Sequence, residues 1–495
     1  MDKTFDIVVI GSGLGGLQCA YLLSKEGYSV AVIERNERIG GMMQSFVRDG
    51  VVFNTGLNYT ESLGEGEVLN QYFKLFGLMG NIQLKQLDLD QSDVITLGDK
   101  AYSIPQGHDN YSEALKSYFP QEAKGIDAYL KGLKEVCYSF PMYRLDKKYS
   151  DLTSVYTDLA QSASGYINRH TTNKDLQALM AGTNILYAGQ EDITPLYTHA
   201  LVSYSFMKSS WRIKEGGSGI ANVLANAVRS NGGVIYRNAE VSKICVKDRT
   251  VTSVQLSSGE QIGVKNVISS VHPKTMLPLI EEGALKKVYQ NRILSLKDSI
   301  GMFSVYIVLK KNTIRYQNYN HHYFKSNNVW TTNSGDWPQN MLMYTQLNHK
   351  TNEYADGLTI IAYMDYKEIA KWSNTCVENR GEEYKQFKQE KASLLIDMAA
   401  NKIAGLKSAI TSYYTATPLT YRDYTGSPNG SAYGVVKDYR NPMHSIVMPK
   451  TRLDNFYFTG QNINMHGVLG VSISSVLTCS QLLGEEYLYD KLIKQ

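Results

Sequence analysis

The fold is decided near the N-terminus by the stretch Phe5-Asp6-Ile7-Val8-Val9-Ile10-Gly11-Ser12-Gly13-Leu14-Gly15-Gly16. Its first half is apolar and β-branched, which is typical of a buried parallel strand. The glycine-rich turn opens a segment with helical spacing of apolar residues that ends at Gly27. A second short apolar run then ends at Glu34. The order strand, glycine turn, helix, strand and acid predicts an α/β unit of the Rossmann type.

Each part of this unit has a physical role in binding a dinucleotide. Gly11 permits the tight turn, Gly13 lets the backbone approach a pyrophosphate, and Gly16 lets the helix pack closely on the strand. The helix N-terminus offers free N–H groups and a positive dipole end to the phosphates. Glu34 is placed to accept hydrogen bonds from ribose hydroxyls. The dinucleotide-binding residues predicted from this unit are Gly11, Gly13, Leu14, Gly15, Gly16 and Glu34.

The residues that follow the second strand favour one dinucleotide over the others. Arg35 to Gly41 form a short basic and polar stretch that ends in a glycine pair, and Phe53 to Tyr59 form another turn rich in small residues. FAD-binding Rossmann domains have such a second glycine element, whereas NAD domains rarely carry it. FAD is therefore the predicted cofactor, and because no Cys or His lies in a recognisable flavin-linkage motif, it is predicted to bind non-covalently. The additional contacts predicted from these elements are Arg35, Gly41, Met42, Gly56 and Leu57.

Composition excludes several classes of protein. The chain has 495 residues, which corresponds to about three domain-sized units. Lys and Arg number 51 against 47 Asp and Glu, so no basic excess indicates a nucleic-acid partner. The five cysteines lie far apart in sequence, and neither a disulfide framework nor a metal site is predicted. No secretory leader and no run long enough to span a membrane stand out, so we expect a cytoplasmic protein.

Later stretches have the pattern of segments that return to the nucleotide-binding unit. The predicted FAD-binding domain consists of 1–60, 211–272 and 445–495, and insertions at 61–210 and 273–444 form a predicted substrate-binding domain. The first insertion has a helical pattern, and the second alternates like strands. The fold class predicted from this organisation is α/β, with a Rossmann-type domain and an inserted α+β domain.

Taken together, these motifs resemble the phytoene desaturase, carotenoid isomerase and retinol saturase family. The resemblance rests on the N-terminal glycine loop, the element from Glu34 to Gly41, the element from Lys214 to Val241, Thr417-Pro418-Leu419-Thr420-Tyr421, and Thr459-Gly460-Gln461-Asn462 before Gly467-Val468-Leu469-Gly470. It covers nearly the whole chain in order. Within the family, the bacterial proteins that resemble all-trans-retinol 13,14-reductase are the most similar subtype.

The resemblance implies an amine-oxidase-like flavoprotein fold and an FAD-dependent oxidoreductase that acts on CH–CH groups. It implies a long hydrophobic isoprenoid or polyene substrate that is reached from a membrane surface, with peripheral association. The reaction would be saturation, desaturation or isomerisation, and saturation of the retinol-saturase kind is favoured. Further cofactor contacts follow from the middle and C-terminal motifs, where a helix would point its N-terminus at the flavin: Val241, Gly460, Gln461, Val468 and Leu469.

Three residues are candidates for acid–base chemistry. His466 lies between the last strand and the last long helix, where it would face the flavin, and Asn58 and Tyr59 follow the turn at Gly56. Five further side chains are predicted to form walls of the cleft: His199, Trp211, Tyr421, Tyr424 and Tyr433.

The sequence leaves two other functions open. A flavin amine oxidase has the same fold and N-terminal motif, and a prenyl or lipid carrier without flavin is the third interpretation. The electron-transfer partner is also open, with NAD(P)H as one transient donor. Membrane docking is predicted in the segments Tyr129 to Lys134 and Phe140 to Arg144, where cationic and apolar residues alternate.

Overall fold

The computed structural model describes residues 4–146, 158–330, 336–347 and 353–494. The strands of these ranges are β1 (Thr4–Ile10), β2 (Val30–Ile33), β3 (Ser45–Arg48), β4 (Val51–Asn54), β5 (Thr60–Glu61), β6 (Leu84–Gln86), β7 (Asp93–Leu97), β8 (Lys100–Ile104), β9 (Ser210–Ile213), β10 (Val234–Tyr236), β11 (Val241–Lys247), β12 (Thr250–Leu256), β13 (Gln261–Ser269), β14 (Gly301–Leu309), β15 (Asn320–Phe324), β16 (Asn340–Leu347), β17 (Ala355–Met364), β18 (Ile410–Ala416) and β19 (Phe456–Phe458).

The α-helices of the same ranges are α1 (Leu14–Lys25), α2 (Val68–Leu75), α3 (His108–Tyr118), α4 (Ala123–Ser139), α5 (Pro141–Arg144), α6 (Ala163–His170), α7 (Lys174–Met180), α8 (Leu196–Lys208), α9 (Gly216–Ser230), α10 (Pro273–Met276), α11 (Lys287–Leu294), α12 (Glu382–Ala400), α13 (Leu406–Ala409), α14 (Pro418–Thr425), α15 (Pro442–Ser445), α16 (Gly467–Leu483) and α17 (Glu485–Ile493).

The first of two large sheets contains the N-terminal unit. Its strand order is β10-β2-β1-β13-β12-β11, and β19 pairs with the end of β13. The strands β10, β2, β1, β13 and β19 run parallel, whereas β11, β12 and the start of β13 pair antiparallel. All four residues of β2 are buried, as both faces of a parallel sheet must be covered. This is the Rossmann-type sheet that the sequence predicts.

Helices α9 and α16 both pack against α1 beside the parallel strands. Their close approach depends on glycine, because a Cβ on Gly16 would lie 2.2 Å from the carbonyl oxygen of Gly11. A Cβ on Gly15 would lie 2.8 Å from Cα of Gly460, so the start of α1 contacts the loop after β19 directly. The N-terminal turn and the C-terminal motif are thereby held together.

The second large sheet has the order β18-β14-β17-β16-β15-β7-β8. It is antiparallel except for the pair β15–β7, and it draws strands from both insertions, because β7 and β8 come from the first and the other five from the second. Every residue of β14 is buried, and α12 packs on one face of the sheet. The predicted α/β class is confirmed. Every strand of the first sheet falls within 1–60, 211–272 or 445–495, and the domain boundaries themselves stay a prediction.

The predicted docking segment on α4 needs a correction. Tyr129 and Leu133 are fully buried in the main core, and Tyr143 in the second segment is also buried. Tyr129 and Leu133 face the core because α4 packs against α8, and the hydroxyl of Tyr143, on α5, lies 3.0 Å from that of Ser205 on α8. The lysines of the segment, Lys131 and Lys134, are exposed, so alternation of charge and apolar residues here marks an ordinary amphipathic helix.

Candidate cofactor and substrate site

A large cavity lies between the N-terminal glycine loop, the start of α16 and the second sheet. It contains about 2220 Å³ of empty space, counting its opening to solvent. The glycine loop and the residues after β2 form one part of its wall. Met302, Leu342 and Ile361, from β14, β16 and β17, form another part. The two sheets therefore contribute to a single cavity.

The glycine loop has the geometry that its sequence predicts. Gly11 has a φ of +90°, a conformation that side chains rarely adopt, and a Cβ there would lie 2.6 Å from Oγ of Ser270. A Cβ on Gly13, by contrast, would meet no protein atom closer than 3.9 Å and would point into open space at the cavity. Gly13 is also the N-cap of α1 and no side chain caps the helix there. The wall at Gly13 is therefore bare backbone beside free helical N–H groups.

Glu34 lies in the cavity wall with its side chain buried. Its Oε2 accepts hydrogen bonds from the backbone N–H and the hydroxyl of Ser12, at 3.0 and 2.6 Å, and Oε1 accepts one from the N–H of Asn36 at 2.9 Å. These bonds fix the carboxylate against the glycine loop. Each carboxylate oxygen retains acceptor capacity for a further donor, such as a ribose hydroxyl.

The second glycine element lies against the first. Gly13 and Gly40 form an isolated parallel bridge, and a Cβ on Gly41 would lie 3.3 Å from Cα of Gly13. Gly56 approaches Met42 so closely that a Cβ would lie 2.8 Å from the Met42 carbonyl oxygen. Arg35, Gly41, Met42, Gly56 and Leu57 all line the cavity, as does Val241.

The start of α16 forms a further part of the wall. Gly460, Gln461 and Val468 line the cavity, and Gly467 has a φ of +76°, where an added Cβ would meet no atom within 4 Å. The N-cap residue His466 makes no side-chain capping bond, so the helix presents free N–H groups here. Leu469 does not line the cavity. It is buried, because the third helical position turns its side chain into the core.

Gly16 is the other predicted cofactor contact that does not line the cavity. Its role is the close packing described above, which places the loop without touching a ligand. The remaining predicted residues form a set that fits FAD: an open backbone approach at Gly13, an uncapped helix N-terminus and a buried carboxylate for the ribose. A dinucleotide placed along these elements would meet N–H donors where its phosphates are negative.

His466, a predicted acid–base residue, lies in the cavity wall. Its ring centroid is 4.7 Å from that of Tyr433, and its Nδ1 has no hydrogen-bond partner among the described residues. Burial, together with the positive charge of Lys437, lowers the pKa of His466 to about 3. The imidazole is therefore neutral at physiological pH. The same lysine donates to the carbonyls of Ser445, Asn462 and Ile463, which hold the loop before α16.

The predicted pair Asn58 and Tyr59 also lines the cavity. Oδ1 of Asn58 is buried and has no partner within the described part of the chain. The hydroxyl of Tyr59 lies 3.4 Å from Nε2 of His322, which in turn lies 3.2 Å from the carboxylate of Asp93. Burial raises the pKa of Tyr59 well above its usual value, so the phenol keeps its proton. The catalytic assignment of these residues stays a prediction.

Three of the five predicted wall residues lie where expected, because Tyr421, Tyr424 and Tyr433 line the cavity. His199 does not, since its ring is buried between the hydroxyls of Tyr129 at 2.7 Å and Tyr187 at 2.9 Å. Trp211 does not line the cavity either, and its indole N–H donates to Ser209. Both predictions are wrong, because packing with insertion residues distant in sequence turns these rings away.

Sequence reasoning missed three ionisable residues of the described wall, Glu61, Glu240 and His272, of which Glu240 is exposed. Glu61 lies on β5, two residues after Tyr59, and its buried carboxyl lines the cavity. A short polar strand after the second glycine element gives no signal that its glutamate points inward. Only the pairing of β5 with β9 fixes that direction.

Several known proteins are similar to this chain in sequence. Residues 9–76 match the model of an NAD(P)-binding Rossmann-like domain. The chain is 24% identical to an all-trans-retinol 13,14-reductase of Danio rerio, over 98% of this chain and 86% of the relative. It is 24% identical to a chloroplastic prolycopene isomerase of an Oncidium hybrid cultivar, over 98% of this chain and 84% of that protein.

A solved structure shows the fold. The structure of putrescine oxidase with putrescine bound has a TM-score of 0.66 and 14% identity, over 97% of this chain and 99% of that one. The predicted amine-oxidase-like architecture is therefore confirmed. The predicted class of enzyme, an oxidoreductase, is confirmed by the similarity in sequence to all-trans-retinol 13,14-reductases. The chain is similar along nearly its whole length to retinol reductases and prolycopene isomerases, which confirms the resemblance to the phytoene desaturase, carotenoid isomerase and retinol saturase family.

Proposed function

We propose that this protein is an FAD-dependent oxidoreductase that acts on carbon–carbon double bonds of a hydrophobic isoprenoid or polyene. Saturation of the retinol-saturase kind is the favoured reaction. The observation that carries the proposal is the single cavity whose wall combines dinucleotide-binding elements with apolar side chains of the second sheet. The named relatives, a retinol reductase and a prolycopene isomerase, support it.

The residues that would hold FAD are those of the two glycine elements, Glu34 and the start of α16. When bound, FAD supplies the two-electron redox chemistry that protein side chains lack. Gly13 would admit the pyrophosphate to the helix N-terminus, and Glu34 would bind the ribose hydroxyls. The free N–H groups at the start of α16 would stabilise negative charge on the reduced ring system.

The chain itself positions the substrate and excludes water from it. Ile185, Val202 and Phe206 from the first insertion complete the apolar wall that β14, β16 and β17 begin. Such a surface binds a polyene without orienting it by polar groups, so the shape of the cavity decides which double bond is presented. Position, more than acid–base strength, controls transfer of a hydride equivalent.

An experiment on the purified protein tests the proposal. We expect a yellow protein whose flavin is released into the supernatant after acid precipitation, because the attachment is non-covalent. Anaerobic reduction or reoxidation of the flavin is then followed with a panel of polyenes, dienoic lipids and amines, and NAD(P)H is tested as the electron donor. A colourless protein that FAD does not reconstitute contradicts the proposal.

A flavin amine oxidase is the second candidate, because the putrescine oxidase structure has this fold. No lysine lines the cavity among the described residues, and the nearby Lys437 directs its amine to backbone carbonyls. Turnover of amines but of no polyene in the same panel would favour this candidate. A carrier without flavin is disfavoured by the complete set of cofactor elements.

Membrane association is also a proposal. None of the described helices is long and apolar enough to span a bilayer. A polyene is nearly insoluble in water, so we expect peripheral docking of a cytoplasmic protein, with modest affinity. Co-sedimentation with liposomes that contain anionic lipid, weakened by salt, is the expected result. Failure to co-sediment at any lipid composition contradicts it.

A further inference from the structure

The cavity contains a buried carboxyl group that none of the cofactor-binding roles uses. Glu61 ends β5, and only 7% of the residue is exposed. Its carboxyl accepts a hydrogen bond from the hydroxyl of Thr60 at 2.8 Å and a long one from the N–H of Leu469 at 3.4 Å. Because Leu469 is the third residue of α16, Glu61 lies beside the helix end that closes the cavity.

No ion pair within the described residues accounts for burying this carboxyl. The charged and titratable side chains on the elements around β5 are Arg212 on β9, Tyr197, His199, Tyr204 and Lys208 on α8, His466 before α16, and Tyr59, Glu65 and Glu67 on the flanking chain. Arg212 bonds to Tyr319, Asn320 and Thr345, Lys208 is exposed, and Glu67 bonds to Ser209 and Gly64. Burial is the largest influence on Glu61 and raises the pKa of its carboxyl.

The other candidate acids of the cavity are poorly suited to exchange a proton near neutral pH. Of the further ionisable residues of the wall, Glu240 is exposed, and Nε2 of His272 lies 3.2 Å from the carboxylate of Asp298. The low pKa of His466, about 3, leaves its imidazole neutral, and the high pKa of Tyr59 keeps the phenol protonated. Glu34 is held against its own loop by three hydrogen bonds. Glu61 alone among these combines burial, contact with the cavity and a pKa moved towards neutrality, which is the condition for efficient general acid catalysis.

We propose that Glu61 holds a proton on its carboxyl group and exchanges it with a substrate carbon, as the acid–base residue of the site. This rests on the proposed function. Saturating one double bond adds two electrons and two protons: one hydrogen arrives with both electrons from the reduced cofactor, and the other is the Glu61 proton. The carboxyl O–H bond breaks as the new C–H bond forms, and the carboxylate then takes a proton from water. In desaturation the carboxylate accepts the proton instead.

Three variants test the assignment. Glu61→Gln keeps the shape of the neutral carboxyl and one acceptor oxygen and replaces the acidic O–H by an amide, whereas Glu61→Asp keeps the acid on a shorter chain. Glu65→Gln, at an exposed glutamate four residues along the chain, is the matched control. FAD content and thermal midpoint are measured for all three, so that loss of folding is recognised.

The first measurement does not depend on turnover. Infrared spectra of the FAD-loaded protein at pH 7 are expected to show a protonated-carboxyl band in the wild type and in the Glu65→Gln control. The same band is expected to be absent from the spectrum of Glu61→Gln. If no band distinguishes the wild type from Glu61→Gln, Glu61 does not hold the proton and the proposal is overturned.

The second measurement is turnover of the polyene that the panel identifies. Glu61→Gln is expected to lose about a hundredfold or more in kcat with FAD affinity unchanged, and Glu61→Asp is expected to recover part of the rate with a shifted pH profile. Equal rates and equal pH profiles in the wild type and Glu61→Gln overturn the proposal while the proposed function stands. If the wild type converts no polyene, the proposed function fails, and the infrared band still decides whether Glu61 holds the proton.

Discussion

The two walls of the cavity differ in the residue types that they require. The cofactor wall consists of backbone turns, where Gly11, Gly40 and Gly41 are required by positive φ angles. The substrate wall consists of side chains on β14, β16 and β17, such as Met302, Leu342 and Ile361. Backbone geometry demands particular residue types, whereas an apolar surface accepts many. The first wall is therefore recognisable in sequence and the second is not.

The largest expected effect is on the cofactor wall. Gly13→Val should abolish FAD binding, because the added side chain would occupy the open space where the pyrophosphate approaches the backbone. The apo-protein should still fold, since no protein atom lies within 3.9 Å of the new Cβ. FAD titration and thermal unfolding measure both, with Gly66→Asn, at an exposed turn with a φ of +73°, as the control. FAD affinity equal to the wild type would show that this turn is not the phosphate site.

On the substrate wall, Ile361→Trp should fill the cavity from β17, because the Ile361 side chain lines it. We expect polyene turnover to fall at least tenfold with FAD affinity unchanged, since the volume for substrate shrinks and the cofactor wall is untouched. Leu394→Phe, on the exposed face of α12, is the control. If Ile361→Trp loses FAD instead, the two walls do not act separately.

A smaller effect is expected at Glu34. Glu34→Ala removes an acceptor for the ribose hydroxyls, and a hydrogen bond to a charged group contributes about 1.5–3 kcal/mol. FAD affinity should therefore weaken roughly tenfold to 150-fold. Isothermal titration with FAD measures the change. Glu34→Gln, which keeps one acceptor oxygen, should lose less, and an equal loss in both variants would point to disorder of the loop at Ser12 instead.

The smallest expected effect concerns stability and pH. The pKa of Glu61 is raised by burial in the folded protein, so the folded state binds more protons than the unfolded one once the pH exceeds the unfolded pKa. The wild type should therefore lose stability relative to Glu61→Gln as the pH rises from the pKa of Glu61 in the unfolded state through its raised pKa in the folded state. Urea unfolding at pH 4.5 and pH 8 measures the difference. If the difference in unfolding free energy between the wild type and Glu61→Gln does not grow with pH, the pKa of the Glu61 carboxyl is not raised in the folded protein.

Three neighbouring residues, Asn58, Tyr59 and Glu61, show which parts of the site the sequence alone predicts. Gly56 and the residues after it mark a turn near the cofactor. This pattern predicts that Asn58 and Tyr59 lie near the flavin, but it does not predict that Glu61 lines the cavity. The β5–β9 pairing, between segments about 150 residues apart in the chain, points Glu61 into the cavity. A strand of two residues carries no periodicity from which that orientation could be inferred.

The sequence by itself determined the parallel α/β unit, the glycine turns and the acid after the second strand, because each depends on contacts within a short stretch of chain or on a backbone conformation that glycine permits. Only the tertiary structure decided which side chains face the cavity. Leu469 and His199 point into the core and Trp211 away from the cavity, whereas Glu61 points into it. Those directions follow from packing between segments far apart in sequence, where many residue pairs satisfy the same apolar contact and no local rule selects one.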